Sequence, residues 1–545
     1  MTENLVSAAR LAAAIFESGL KSPAEWEARF PVRGLPEGAM VTRFAPSPTG
    51  FLTLGNLLTA FVDRLLANTS GGVFFLRLED TDKKRETGDG VSGIVNDMAA
   101  FGLAIDEGVT GFGTERGAYG PYTQSHRREI YHTYAKALVE QGLAYPCFCS
   151  ADDLDKLRNE QEQAGVNKGY YGQWTKCRNL SLDEQLAHLK SGEPYTLRLR
   201  SPGDASRKIF VNDLVRGKLE LPEYDMDVVL LKADGIPTYH FAHAVDDHLM
   251  RVTHVIRGDE WLASLPLHAQ LFYLLGFKPP KYAHIAPMMK LDAETGGKRK
   301  LSKRKDPEAA VGALVRAGYP NAALHEYLVT LLNSSFEDWR RANPDAPLAK
   351  FPFSLKKMQP SGALFDLQKL EDVSKTVISR MTAEQVYAQA LAWANAFDPD
   401  LASLLSNDPA YSIAMLSIDR GNKKPRKDIA RWGQLRELYS YFYDELFEPR
   451  LVSAPEILQA YLEVYDPNDD KDAWFAKIKS ICEPLGYCPD VKTYKADPDT
   501  WKGHVSDVSG AIRMAVTGRE NTPDLWAVMR VIGEARVRGR MEEAM

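Results

Sequence analysis

Near residue 40 the hydrophobic pattern changes period. Met40-Val41-Thr42-Arg43-Phe44 reads as a short strand, and Ala45 to Gly50 holds two prolines that stop both helix and ladder. After Gly55, Leu57, Leu58, Phe61, Val62, Leu65 and Leu66 recur at helical spacing, Gly71-Gly72 breaks the run, and Val73 to Leu78 reads as a buried strand. This strand, loop, helix, strand unit predicts a parallel sheet with a right-handed crossover. Its Pro/Gly loop then falls at the carboxyl edge, where α/β sheets bind ligands. Between Cys147 and about Leu221 the pattern turns mixed and polar, and a second strand-like run, Val252 to Ile256, follows, so an insertion is expected to split the sheet domain. Beyond Lys305, the segments 322–332, 383–397, 429–447 and 525–533 read as helices, and Asp466 to Asp472 as an exposed loop.

The predicted fold class is therefore α/β, a Rossmann-type parallel-sheet domain split by an insertion and followed by a mainly α-helical C-terminal region. The expected divisions are 1–38 (helical extension, a packing accessory), 39–145 and 236–310 (the halves of the sheet domain), 146–235 (the insertion), 311–375 (a stem-contact helical region) and 376–545 (the helical end). At 545 residues with 26% charged content the chain has room for several cores. The apolar stretch at Leu11 to Phe16 is too short to span a bilayer, and the glutamates around it argue against a transit peptide. A net charge of −6 means that any nucleic-acid contact must be carried by local patches. One such patch is Arg420, Lys423, Lys424, Arg426, Lys427 and Arg431, at the entry to the helix expected from 429; a solvated surface is the competing reading. Five cysteines cannot staple so long a chain, which places it in a reducing, cytoplasmic compartment. Cys147, Cys149 and Cys177 read either as a partial zinc site or as buried thiols, and Cys482 and Cys488 as structural.

Two segments carry candidate chemistry. The loop from Thr49 through Thr53, Leu54, Gly55 and Asn56 opens a helix, the arrangement that offers backbone donors to phosphates. The basic run Lys298 to Lys305 follows the second sheet segment and supplies cations. Together, Arg43 to Asn56 and Lys300 to Arg304 resemble the HIGH and KMSKS signatures of class I aminoacyl-tRNA synthetases, and Arg43 to Gly50 resembles the glutamyl enzymes in particular. Further matches are Leu76 to Asp82, Tyr239 to Ala242, Asp246 to His248, Val255 to Trp261, Ser361 to Ala363 and Ile512 to Arg519.

The resemblance implies ATP-dependent attachment of L-glutamate to tRNA(Glu) through an adenylate, with Mg²⁺ assisting, by a monomer with no membrane contact. It places Arg43, Ser47, Glu79, Tyr239, His243 and Arg257 around glutamate. ATP would meet Thr53, Gly55, Asn56, Glu260, Lys300, Ser302, Lys303 and Arg304, with Lys303, Thr53, Gly55 and Asn56 nearest the chemistry. It makes the insertion an acceptor-end clamp and the helical end an anticodon reader, and it adds Tyr171 as a fourth ligand if Cys147, Cys149 and Cys177 hold Zn²⁺. The first position of the HIGH tetrad is Thr53 rather than histidine. Its hydroxyl can donate a hydrogen bond but cannot become cationic, so an inactive tRNA-binding paralogue is the alternative, with a glutaminyl enzyme as a second.

Overall fold

A computed structural model describes residues 2–48, 52–82, 90–292, 294–302 and 304–545. The contacts divide the chain into two compact units, 1–313 with 328–365, and 314–327 with 366–545. In the first unit, α1 (Thr2–Ile15) and α2 (Pro23–Arg29) precede β1 (Val41–Phe44), α3 (Leu54–Ser70) and β2 (Val73–Leu76). Then come α4 (Gly90–Ala100), β3 (Glu107–Gly111), β4 (Thr114–Arg116) and α5 (Arg128–Glu140). Strands β1, β2 and β3 pair in parallel, and β4 folds back on β3.

The β1–α3–β2 unit has the form that the pattern predicts. All six apolar positions of α3 read from the sequence are buried, and the helix stops at Gly71, whose φ of 67° is left-handed. Gly72 has a different reason to be glycine: a Cβ there would lie 1.9 Å from Met40 O, so β2 could not start beside β1 with any side chain at this point.

The next segment holds β5 (Ala144–Cys147), α6 (Ala151–Gln163), α7 (Leu182–Lys190), β6 (Thr196–Leu199), the ribbon β7 (Lys208–Asp213) and β8 (Gly217–Pro222), and β9 (Val229–Leu231). Strands β5, β6 and β9 form an antiparallel sheet. The parallel pattern resumes after α8 (Tyr239–Leu249) with β10 (His254–Gly258), α9 (Leu265–Leu274) and β11 (Lys281–Ile285), and β10 and β11 pair in parallel. Thr253 donates its N–H to Val41 O at 3.0 Å, which brings β10 alongside β1. A hairpin of β12 (Met289–Leu291) and β13 (Lys298–Lys300) then leads into the basic run.

The segment before β1 holds the helices α1 and α2 and is bonded to the sheet domain. Trp26 Nε1 donates to Thr133 Oγ1, Arg33 forks onto Glu107 at 2.7 and 2.9 Å, and Glu27 meets His248 and Arg251, each at 2.6 Å.

The second unit is helical around one large core. Helices span Ala383–Phe397 and Leu525–Ile532, close to the predicted ranges. The helix predicted over 429–447 does not form: this stretch holds two 3₁₀ turns and the four-residue helix Leu435–Leu438. Tyr439, Tyr441, Phe442 and Tyr443 are all buried, so the aromatic run faces protein on every side instead of lying on one helical stripe. Among the described residues, no helix is long and apolar enough to cross a membrane.

Candidate active site

The carboxyl ends of β1, β2, β10 and β11 converge on a cavity of about 690 Å³. Its lining includes Arg43 and Ser47 after β1, Glu79 after β2, Arg257 and Glu260 around the end of β10, and Ala286 and Pro287 after β11, with Tyr239 from the start of α8. Thr53, Gly55 and Asn56 bring in the N-terminus of α3, and Lys300 and Leu301 bring in the basic run. Residues from both halves of the sheet domain thus share one wall. His243 lies behind this lining, fully buried, with its ring 5.9 Å from that of Tyr239.

The α3 end explains what threonine does at position 53. Thr53 caps the helix: its Oγ1 accepts from Asn56 N at 3.3 Å, while Asn56 Oδ1 accepts from Thr53 N at 3.1 Å and from the Thr53 hydroxyl at 2.8 Å. The hydroxyl proton that could replace an imidazole contact is therefore already given to Asn56. What this end offers an anion is the helix terminus itself, with its unpaired N–H groups and positive end of the dipole. At Gly55 a Cβ would lie 3.7 Å from Met288 Cβ and fill space in the cavity, which fits a place where backbone meets ligand.

The basic loop is braced from behind. Arg299 forks onto Asp306 at 2.6 and 2.7 Å and also meets Asp292 at 3.0 Å, and Ser302 N donates to Asp306 Oδ2 at 2.9 Å. Asp306 is fully buried, and the Arg299 hydrogen bonds hold its carboxyl far below the usual carboxylate range. Lys300 makes only an exposed 3.3 Å pair with Glu260, and such pairs contribute little. Lys303 lies outside the described residues, as do Thr49 and Gly50.

Beneath the cavity lies a buried charge network that the sequence reading did not assign. Arg77 bonds Asp247 at 2.6 Å and Glu79 at 3.0 Å, and Arg127 bonds Asp246 at 2.6 Å. Asp246 also accepts from Tyr131 and Gln124. Arg43 reaches Asp247 through Nε at 3.3 Å, and its terminal nitrogens have no partner among the described residues. His243 Nδ1 sits 3.0 Å from Asp247 Oδ2 without the alignment of a hydrogen bond, and its Nε2 meets the Tyr282 hydroxyl at 3.1 Å. Burial lowers the His243 pKa to about 4, so this imidazole is neutral at physiological pH. Burial also raises Glu79 above the usual carboxylate range, against the pull of Arg77 and Arg43.

Arg257 is held differently. Its Nε donates to His284 and its NH1 meets His268, both at 2.9 Å, and its NH2 is buried with no partner. Arg257 borders the cavity, and a buried guanidinium nitrogen left unpaired is an expensive arrangement that a carboxylate would complete.

The thiols assemble away from this cavity. Cys147, Cys149 and Cys177 bring their sulfurs within 4.8 Å of one another. The tyrosine oxygen beside the three sulfurs belongs to Tyr170, whose hydroxyl lies 3.6 Å from Cys147 Sγ and 3.5 Å from Cys149 Sγ. Tyr171, the residue expected there, points elsewhere and donates to Asn167 O at 2.6 Å. Adjacent tyrosines at the edge of a turn face opposite ways, and the sequence carried no signal to choose between them. Three thiols and a phenol at this spacing suit a tetrahedral zinc ion. Cys482 and Cys488 are buried and donate to backbone oxygens, the structural role expected of them.

The basic patch from 420 to 431 is also corrected. It lies on a loop instead of a helix entry, Arg420 is spent on the Leu416 and Ile378 carbonyls, and Arg426 pairs with Asp428 at 2.9 Å. Lys423, Lys424 and Lys427 remain exposed.

A split parallel sheet whose carboxyl edge joins a helix N-terminus, a braced basic loop and facing arginines defines a class I aminoacyl-tRNA synthetase core. Residues 39–345 match the family of class I tRNA synthetases (E and Q), catalytic domain. Over 98% of its length the chain is 50% identical to the glutamate--tRNA ligase of Acetivibrio thermocellus, of which 99% is covered. It is 48% identical to that of Sorangium cellulosum, over 96% of this chain and 97% of that one. The crystal structure of a glutamate tRNA ligase from Elizabethkingia meningosepticum, in complex with its amino acid, superposes with a TM-score of 0.72 at 26% identity, covering 93% of this chain and 99% of the other. The chain belongs to the glutamate--tRNA ligases, within the class I tRNA synthetases.

Proposed function

We propose that this chain activates L-glutamate with ATP and transfers it to the 2′-hydroxyl of the terminal adenosine of tRNA(Glu). The observation that carries this reading is the pair of arginines that border the cavity, Arg43 and Arg257, from opposite halves of the sheet domain, each with guanidinium donors that no described residue uses. Glutamate brings two carboxylates, and two planar forks are what such a ligand needs. Glu79 faces the same space and balances the ammonium; glutamate's cation would offset the burial that now raises its pKa. Ser47 and Tyr239 supply neutral hydrogen-bonding groups, and burial keeps the Tyr239 phenol protonated, with a pKa of about 12. His243, neutral and hydrogen-bonded to Tyr282, backs the ring of Tyr239.

ATP would lie across the N-terminus of α3, between Gly55 and Asn56 on one side and Glu260 and Lys300 on the other, with Ser302, Lys303 and Arg304 assigned to it by the motif. Attack of the glutamate carboxylate on the α-phosphate gives the adenylate and pyrophosphate, and the tRNA hydroxyl then displaces AMP. No protein nucleophile is needed, so catalysis consists of alignment and of charge placed where the phosphates become more negative. Mg²⁺ enters with ATP as part of the substrate. In this reading the 146–235 insertion grips the acceptor end, and exposed lysines of the helical end, Lys423, Lys424 and Lys427, meet tRNA phosphates.

The deciding experiment is charging of purified tRNA with labelled glutamate and, separately, with labelled glutamine. Glutamate alone should be attached; preferential attachment of glutamine would replace this reading with the glutaminyl one.

Cys147, Cys149, Tyr170 and Cys177 would hold a structural Zn²⁺ that ties β5 to the following segment. Purified protein should carry about one zinc per chain, and Cys147→Ser should lose it with a lower melting temperature. Metal-free wild-type protein of full stability would leave the cluster as buried thiols.

A further inference from the structure

Arg257 differs from Arg43 and Arg77 in what holds it. Those two are braced by carboxylates, whereas Arg257 is braced by two imidazoles. A carboxylate brace neutralises part of the charge that a ligand would use; a neutral imidazole accepts the N–H and leaves that charge in place. This works only if the ring nitrogen facing Arg257 is a lone pair. Asp213, at the end of β7, decides that. Its Oδ1 accepts from Val215 N and Arg216 N, each at 2.9 Å, and its Oδ2 accepts from His284 N at 3.1 Å and from His284 Nδ1 at 2.7 Å. Both oxygens are engaged by donors, and despite its burial the carboxyl is kept below its usual range by those bonds. Asp213 is 4% exposed and His284 is fully buried. Burial lowers the His284 pKa, which keeps the ring neutral.

We propose that Asp213 is a positioning residue for glutamate recognition: it holds His284 in the Nδ1–H tautomer, so that Nε2 accepts from Arg257 Nε and aims the free edge of the guanidinium at the substrate carboxylate. The inference rests on the reading of Arg257 as a glutamate ligand. It adds that a ribbon outside the parallel sheet, β7–β8, sets the affinity of the amino-acid pocket through a proton location, with no contact to the substrate.

The sign of the effect follows from hydrogen-bond bookkeeping. In Asp213→Asn, one side-chain oxygen remains for the two loop N–H groups, and the amide NH₂ is turned toward His284. The ring then accepts at Nδ1 and carries its proton on Nε2, donor against donor with Arg257. The guanidinium must move, and a displacement on the order of 1 Å at a binding group costs on the order of 10-fold or more.

The test is a mutant cycle read in tRNA charging by the full chain. Asp213→Asn should raise the glutamate KM by about 10-fold or more, with the KM for ATP and for tRNA and the kcat at saturating glutamate within about 2-fold. His284→Gln, whose Oε1 reaches the place of Nε2 and accepts without a tautomer, should keep a near wild-type glutamate KM, and adding Asp213→Asn to it should change nothing further. An unchanged glutamate KM in Asp213→Asn, or the same rise in the His284→Gln background, overturns the proposal. Nitrogen-15 NMR of histidine-labelled wild-type protein, which does not depend on any variant folding, should place the His284 proton on Nδ1; a proton on Nε2 contradicts it. Arg257→Gln separates the two readings: if it leaves the glutamate KM unchanged, the assignment of the pocket fails, and if it raises that KM while Asp213→Asn does not, the Asp213 link alone fails.

Discussion

Lys303→Ala is expected to slow glutamate-dependent pyrophosphate exchange by on the order of 10²-fold or more, the loss typical of a cationic contact made to charge that develops in the transition state. Lys303 follows Ser302 in a run whose flanks are fixed, because the buried Asp306 carboxylate ties both Arg299 and the Ser302 N–H. The residues just before it are thus tied to one buried carboxylate that follows it. ATP gains negative charge on its leaving group as the α-phosphate is attacked, and a lysine cation stabilises that charge. The ATP KM should change less than the rate, since the contact strengthens only in the transition state. Equal exchange rates in Lys303→Ala and wild type, measured at saturating ATP, would remove this residue from the mechanism.

Arg77→Met should cost roughly 3–5 kcal/mol of stability and abolish glutamate activation, although Arg77 is not among the residues that line the cavity. Its guanidinium is fully buried and bonds both Asp247 and Glu79, so its removal takes the bonded cation from Glu79 and leaves Asp247 with the longer Arg43 contact alone. Burial alone would raise the Asp247 pKa, but Arg43 and Arg77 together hold it well below the usual range. A carboxyl depressed in the folded state stabilises the fold above its unfolded pKa of about 3.9, and that contribution fades as pH falls through the depressed value. Without Arg77 the folded pKa rises, so the acid limb of the melting curve should move to higher pH in the variant. Thermal melts from about pH 2 to pH 7 measure both effects, since the wild-type limb lies below the unfolded carboxylate pKa. A variant that melts like wild type at every pH would show that the network is not needed for the fold.

How much of this was legible in the chain depends on the range of the contact. The β1–α3–β2 unit could be read because its apolar spacing, its proline loop and Gly71-Gly72 are all local. Arg43, Glu79, Tyr239 and Arg257 could be picked out through motif resemblance, and they do line one cavity. The support behind them could not be read locally. Asp213 and His284 are 71 residues apart, and Arg77 and Asp247 are 170 apart. No periodicity marks such pairs. The 429–447 segment failed for a related reason, since its aromatic run resembles a helical stripe until burial on all sides is known. Tyr170 and Tyr171 were separable only by direction of the side chain, which a turn sets and composition does not.

Thr53 is the sharpest departure from the family pattern, and the structure changes its meaning. With its proton donated to Asn56 and its oxygen capping α3, Thr53 keeps the helix end in place, and in the proposed reading the helix terminus and the basic loop take the phosphates. The most direct test is glutamate-dependent exchange of labelled pyrophosphate into ATP by the wild-type chain, assayed with tRNA(Glu) present. Exchange that requires glutamate is the predicted result; a chain that binds tRNA(Glu) yet shows no exchange would contradict the account and leave the tRNA-binding paralogue in its place.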